Sequence, residues 1–157
     1  MRFPCTLTGR FGGTRLRYLD RMQPLGLLAL RLTMGSIMVG HGWHKVNGHL
    51  HDFAGYVAGM AVPGWLGYVA AFVEFFGGIL IIAGLLTRCV AFAFLIDMSV
   101  AIIKVHWPHG FMGSGGYEFP LLLWTVALAL IFFGAGAISL DAIRGGGGGG
   151  WRDAKSR

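Results

Sequence analysis

The chain has 157 residues, of which 55% are hydrophobic and 13% are charged, with a net charge of +6 and a mean hydropathy of +0.63. This number of charged residues is too small to cover the surface of a soluble domain of this size. The composition therefore excludes an ordinary water-soluble enzyme and indicates a small integral membrane protein. The positive charge does not call for nucleic acid, because the basic residues flank apolar segments, where an anionic lipid surface attracts them.

In chain order, the sequence predicts a basic cytoplasmic tail, a membrane domain and a flexible glycine-rich basic tail, at residues 1–23, 24–143 and 144–157. A helix needs about 20 mostly apolar residues to cross a bilayer. The membrane domain has four segments close to this length, at residues 24–43, 64–86, 89–106 and 119–138. The predicted fold is therefore all-α, an integral membrane four-helix bundle.

The basic residues predict the orientation of the bundle. If the first segment leaves the cytoplasm, one side of the membrane receives both tails and Arg88, whereas the other side keeps Lys45 and Lys104. Because cytoplasmic loops are enriched in Lys and Arg, both termini are predicted to be cytoplasmic.

A cluster of histidines follows the first segment, in the stretch VGHGWHKVNGHLHDF. His41, His44, His49 and His51 leave the predicted outer end of this segment, and His106 and His109 leave the outer end of the third. Pro108 interrupts the second pair, and few carboxylates are near enough to complete a ligand set. We therefore predict interfacial polar histidines and no metal site.

The residues between the first two segments predict a short helix. Phe53, Tyr56, Val57 and Met60 recur at helical spacing, so one face of this helix is apolar. Pro63 is expected to end it. Such a helix would lie in the outer interface, as a lid over the bundle.

Three ionisable residues lie within predicted membrane segments. Counting 1.5 Å per residue places Arg31 roughly 10 Å, Asp97 roughly 13–14 Å and Glu74 about 15 Å from a membrane surface. The predicted catalytic group is therefore one buried polar layer of Arg31, Glu74 and Asp97. One arginine cannot balance the charge of two ionised acids. Either one acid would hold a proton or a second cation would approach, and Lys104 is the candidate cation. A structural ion pair and a proton-handling or quinone-facing site both remain open.

A second group of polar residues is predicted at the outer end of the bundle. Its members would line a vestibule that leads to Glu74 and binds substrate: Lys45, Lys104, Tyr117, Glu118, His41 and His44. Simpler roles are also open, since Glu118 suits the first turn of a helix and Tyr117 suits an aromatic belt.

Four stretches of the chain resemble the DoxX family of small four-helix bacterial membrane proteins. They are RLTMGSIMVGHGWHK, EFFGGILIIAGLLTR, HWPHGFMGSGGYE and FFGAGAISLDAI, and the resemblance covers about residues 25–143. The positions that match the family motifs are Arg31, Gly42, Lys45, Glu74, Gly77, Gly78, Gly84, Arg88, Gly116, Tyr117, Glu118 and Asp141.

The resemblance implies a multi-pass protein of the bacterial cytoplasmic (inner) membrane. Some relatives are small subunits of a thiosulfate:quinone oxidoreductase, and others belong to redox-stress complexes. We therefore expect a membrane subunit or anchor of a quinone-linked oxidoreductase, whose partners would be the lipid bilayer, a redox partner subunit and quinone.

The chain carries no flavin, haem or iron–sulfur motif, so no intrinsic cofactor is expected and electrons would come from the partner protein. The competing reading is a non-enzymatic scaffold or a small-solute carrier. The sequence leaves open whether the chain is catalytic and whether it forms a homo-oligomer.

Overall fold

The structure is a computed structural model that describes residues 13–145, with side chains from Met22 onward. Within this range every regular element is a helix. The helices are α1 (Gly13–Val46), α2 (Leu50–Gly59), α3 (Trp65–Ala83), α4 (Thr87–Val100), α5 (Glu118–Phe133) and α6 (Leu140–Arg144). A π-helical turn (Ala101–His106) and a 3-10 turn (Trp107–His109) continue α4.

In the described part of the chain, three helical stretches are long and apolar enough to cross a membrane: Met22–Val46, Trp65–Ala83 and Thr87–His109. Helix α5 is apolar but shorter, with 16 residues. Large apolar side chains such as Phe76, Phe92 and Leu122 are exposed on the outside of these helices. A surface of this kind suits lipid and not water, in agreement with the composition.

Helices α1 and α3 run antiparallel and pack closely along one seam of small residues. A Cβ at Gly35 would meet the backbone oxygen of Gly78 at 2.8 Å, and one at Gly78 would meet Gly35 in return. Further along, Gly42 lies directly against the backbone of Phe75. Small residues allow helix backbones to approach in a membrane, where packing replaces the hydrophobic effect.

The interior of the bundle is a compact apolar cluster contributed by α1, α3, α4 and α5. Its largest fully buried members are Phe94, Met34, Met38, Ile81 and Leu130. This cluster connects α5 to the other helices through α4, against which α5 packs most extensively.

Several boundaries differ from the predictions. Helix α1 begins at Gly13, inside the predicted tail 1–23. Helix α5, which corresponds to the predicted segment 119–138, ends at Phe133 and not at residue 138. It ends there because Gly134 and Gly136 adopt φ values of +75° and +77°, which a helix cannot continue. The rest of the basic tail, residues 1–12, and the glycine-rich stretch 146–157 lie outside the described residues.

Candidate functional site

The central contact of the candidate site joins α1 to α3. Lys45 Nζ lies 2.5 Å from Glu74 Oε1, and Glu74 is only 4% exposed. The ammonium group also lies over the ring of Phe53, 4.1 Å from its centroid, which adds a cation–π contact from α2. The lysine is therefore held between a buried carboxylate and an aromatic face.

Helix geometry explains how a lysine near the end of α1 reaches into the bundle. Side chains of a helix lean toward its N-terminus, so Lys45 extends back along α1 and not out of its end. Gly42, one turn earlier, lets α1 approach Phe75, the neighbour of Glu74. The close approach of the two backbones places the ammonium group at the level of the carboxylate.

Asp97 of α4 completes the polar group. Its carboxyl lies within hydrogen-bonding reach of Glu74 and close to the charge of Lys45. One oxygen of each acid, Glu74 Oε2 and Asp97 Oδ2, is buried, and no group in the described part of the chain donates a hydrogen bond to it. An ionised carboxylate can only accept, so a proton on one of the two acids, or a donor on a ligand, would satisfy these oxygens.

These three side chains lie at the wall of a cavity of about 480 Å³ between α2, α3 and α4. The rest of its wall is almost entirely apolar. From α2 it includes the four residues at helical spacing in the sequence, Phe53, Tyr56, Val57 and Met60. The prediction of a short helix with one apolar face is therefore confirmed, and that face covers the cavity.

The cavity opens sideways between α3 and α4. Val69, Ile96 and Val100 line it, and each is 45–50% exposed at the apolar outer surface of the bundle. The lining continues past α4 into the π-helical turn, which contributes Ala101 and Val105. A site with an apolar side opening and a polar inner end suits a molecule that arrives from the lipid.

The prediction that Arg31 shares a layer with Glu74 and Asp97 is wrong. Its guanidinium group donates hydrogen bonds to four backbone carbonyls, those of Ile81, Ile82, Ala135 and Ile138, at 2.6–3.0 Å. Ile81 and Ile82 lie about two turns beyond Glu74, roughly 10 Å along α3. The prediction counted the depth of the Arg31 backbone. The Arg31 side chain leans toward the start of α1, away from Lys45, so its guanidinium group lies outside the predicted layer.

Arg31 instead fastens the end of the bundle opposite the cavity. The carbonyls it binds belong to the last turn of α3 and to the segment after α5, where backbone oxygens lack the N–H of a following helical turn. The Ile81 carbonyl also accepts a hydrogen bond from the Gly84 N–H. Gly84, with φ +69°, ends α3 directly against the guanidinium group, where a Cβ would collide with it. Arg31 is fully buried in this role.

Asp141 of α6 fastens the same end. Its two carboxylate oxygens accept hydrogen bonds from the backbone N–H groups of Leu86 and Thr87, at 2.8 and 2.9 Å, at the start of α4. Partial burial disfavours the charged form, but the hydrogen bonds from Thr87 and Leu86 outweigh it and hold the pKa of this carboxyl below its ordinary value. The sequence motif around Asp141 is thus explained as a helix cap from a distant segment.

The structure does not assemble the predicted outer vestibule. Lys104, Glu118, His41 and His44 are exposed and do not line the cavity, and Lys104 is not the cation near Asp97. Tyr117 stacks on Trp107, with ring centroids 5.5 Å apart. Of the six predicted members, Lys45 alone reaches the cavity within the described residues.

The histidines make separate local contacts. His51 Nδ1 lies 2.6 Å from the Tyr68 hydroxyl, His106 Nδ1 lies 2.7 Å from the Gly115 carbonyl, and His44 packs against His49. Among the side chains that the structure describes, those of residues 22–145, no three of the His, Cys, Asp and Glu types are grouped so that they could hold a metal ion.

Sequence reasoning placed Lys45 in the outer vestibule and missed its ion pair with Glu74. Lys104 was the predicted second cation, whereas the direction of the Lys45 side chain brings Lys45 to the carboxyl group of Glu74. Two signals in the sequence pointed to Lys45: Gly42 one turn earlier, and Phe53 at the start of the next helix.

Comparison with known proteins adds a family relationship. The sequence model of the DoxX family matches residues 26–107. The chain is 34% identical over 117 residues to a Bacillus subtilis protein named "Putative oxidoreductase CatD", which covers 74% of this chain and 85% of that protein. It is 27% identical over 136 residues to "Inner membrane protein YqjF" of Escherichia coli, covering 80% and 96% of the two chains. No solved structure matches.

Proposed function

Since the chain belongs to the DoxX family, we propose that it is a membrane subunit or anchor of a quinone-linked oxidoreductase, and that its cavity takes the quinone ring. The single observation that carries this proposal is the composition of the cavity. An apolar space with a side opening ends at a lysine and two carboxyl groups that can exchange protons. Quinone chemistry couples electron transfer to proton transfer, so a ring site needs such groups.

Each residue has a distinct part in this proposal. Lys45 would orient the Glu74 carboxyl group through their contact. Asp97 lies next to Glu74 and would gain or lose the proton as the ring oxygen is reduced or oxidised. The apolar wall, which includes Phe53 and Tyr56, would hold the ring and exclude water. Electrons would come from the partner subunit.

The proposal extends to the arrangement of the protein in the membrane. Helix α5 would be the fourth crossing, since its 16 residues span roughly 24 Å and the apolar segment that follows adds length. Both termini would face the cytoplasm, because Arg88 and Arg144 lie at the end of the bundle opposite Lys45. The membrane would be the bacterial inner membrane, in keeping with the name of the Escherichia coli relative.

The test begins with the full chain, purified in mild detergent from bacterial membranes. Its visible spectrum, metal content, extracted quinone and co-purifying subunits are measured together. The proposal expects quinone in the extract and a redox subunit among the partners, and it expects Glu74→Gln to lose the quinone while the protein remains folded. The matched control is Glu118→Gln, because Glu118 is exposed and outside the cavity.

Two results would overturn the proposal. One is a protein without quinone and without quinol-dependent activity even with its natural partner present. The other is a Glu74→Gln variant with altered stability but normal activity, which would make the ion pair structural. Retained partners without quinone would indicate a scaffold instead.

A further inference from the structure

We infer that the cavity binds a neutral lipid-phase molecule through a hydroxyl group that donates a hydrogen bond to Glu74 or Asp97, and so prefers a quinol to the corresponding quinone. The inference builds on the proposed function by naming the form of the ligand. It rests on the hydrogen-bonding capacity of the cavity wall.

The inner end of the cavity holds one ammonium group and two carboxyl groups, those of Lys45, Glu74 and Asp97. One N–H group of Lys45 is engaged by Glu74 Oε1, and the ammonium group also lies over the ring of Phe53. The two acids leave Glu74 Oε2 and Asp97 Oδ2 buried with no donor from the described residues. The inner end of the cavity therefore presents two acceptor oxygens that lack a donor.

The two ligand forms differ in hydrogen-bonding capacity. The oxygens of a quinone are carbonyls and only accept, whereas a quinol carries two hydroxyl groups and donates. A quinone placed against these carboxylate oxygens would leave both sides without a donor unless an acid is protonated. Buried acceptors without a donor are costly, and a bond between a neutral hydroxyl and a carboxylate is among the stronger ones.

Lys45 already balances the charge of Glu74, with which it is paired. The surrounding wall is apolar and opens to lipid at Val69 and Ile96, where a cationic ligand would lose its hydration. A neutral donor is therefore favoured over an amine.

The experiment measures the binding of four probes to the full chain in lipid nanodiscs without oxygen. They are a decyl-substituted benzohydroquinone, its quinone, its dimethyl ether and decylamine. The dimethyl ether keeps the shape of the quinol but has no donor. We expect the hydroquinone to bind at least about tenfold more tightly than the quinone or the ether.

The variant arm uses Asp97→Asn, which keeps the size of the side chain and adds an N–H donor. We expect it to reduce or reverse the preference for hydroquinone, whereas Glu118→Gln leaves the preference as in the wild type. Elution volume and thermal unfolding show that each variant is folded. If Asp97→Asn does not fold, the comparison of the four probes on the wild-type protein still tests the inference.

The outcomes separate this inference from the proposed function. Equal binding of hydroquinone and quinone, or tighter binding of the quinone, would overturn the inference and leave the quinone site standing. Tighter binding of decylamine would overturn the choice of a neutral donor. If no probe binds, both proposals fail.

Discussion

Lys45 Nζ and Glu74 Oε1 lie 2.5 Å apart and connect the last turn of α1 to the middle of α3 at the inner end of the cavity. The two side chains differ in exposure, since Lys45 keeps 24% of its surface and Glu74 keeps 5%. Removing the lysine would leave the glutamate buried without a counter-charge. The pair therefore matters for stability whatever the cavity binds.

Lys45→Met is expected to lower the free energy of unfolding by roughly 2–3 kcal/mol, somewhat below the cost of breaking a fully buried pair because Lys45 is partly exposed. Chemical unfolding of the purified protein measures the loss. Lys104→Met, which changes an exposed lysine outside the cavity, should have little effect. The double variant Lys45→Met with Glu74→Gln should regain part of the loss, and strict additivity of the two changes would contradict a coupled pair.

Arg31→Met is expected to lower the free energy of unfolding by roughly 3–5 kcal/mol, because four hydrogen bonds to buried or partly buried carbonyls are lost at once. Arg31→Lys should be intermediate, since a single ammonium group cannot reach both pairs of carbonyls. The matched control is Arg88→Met, which removes an exposed arginine with one long hydrogen bond of 3.4 Å to the Phe132 carbonyl. If the folded Arg31→Lys protein no longer binds the decyl probes, Arg31 belongs to the functional site after all.

Gly42→Ala is expected to weaken both packing and the ion pair, because the added methyl group would collide with the backbone of Phe75 and push α1 from α3. Gly40→Ala is the control on the same helix, since nothing lies within 4 Å of the Cβ position at Gly40. The control should be neutral or stabilise by about 0.5–1 kcal/mol through helix propensity. The thermal unfolding temperatures of the two variants are compared. Equal temperatures for Gly42→Ala and Gly40→Ala would contradict the close approach of α1 and α3.

Ala93→Phe is expected to fill the cavity from α4 and to weaken binding of the decyl probes by about tenfold or more without unfolding the protein. The control is Leu122→Phe, an equally apolar change on α5, where Leu122 is 60% exposed to the outside. Binding is measured on nanodisc-embedded protein. Unchanged affinity in Ala93→Phe would place the ligand elsewhere.

Asp141 makes stability depend on pH at the α6 end of the bundle. Its pKa is lower in the folded protein than in the unfolded chain, so the folded state favours the ionised form. Its stabilising contribution is complete above the ordinary aspartate pKa of about 4 and is lost as the pH falls through the lower folded pKa. Unfolding between pH 7 and pH 3 should therefore show a steeper loss in the wild type than in Asp141→Asn, and parallel curves would contradict the cap.

Residue patterns alone predict much of the fold. Apolar runs identify the helices, since only helical segments satisfy their backbone in lipid, and Phe53, Tyr56, Val57 and Met60 identify the covering helix by their spacing. Gly35, Gly42 and Gly78 likewise indicate a close seam between helices. The sequence also identifies Glu74 and Asp97 as buried carboxylates that need partners, because a charge within the membrane is costly.

The choice of partners is decided by tertiary structure alone. Counting residues gives a depth along each helix, but it gives neither the direction of a long side chain nor the offset between two helices. Arg31 and Lys45 lie on the same helix, roughly 21 Å apart, and both side chains lean toward its start. Arg31 therefore reaches the carbonyls at the end of α3, and Lys45 reaches Glu74. The sequence determined that charges lie inside this protein, and the packing of α1 on α3 decided which of them meet.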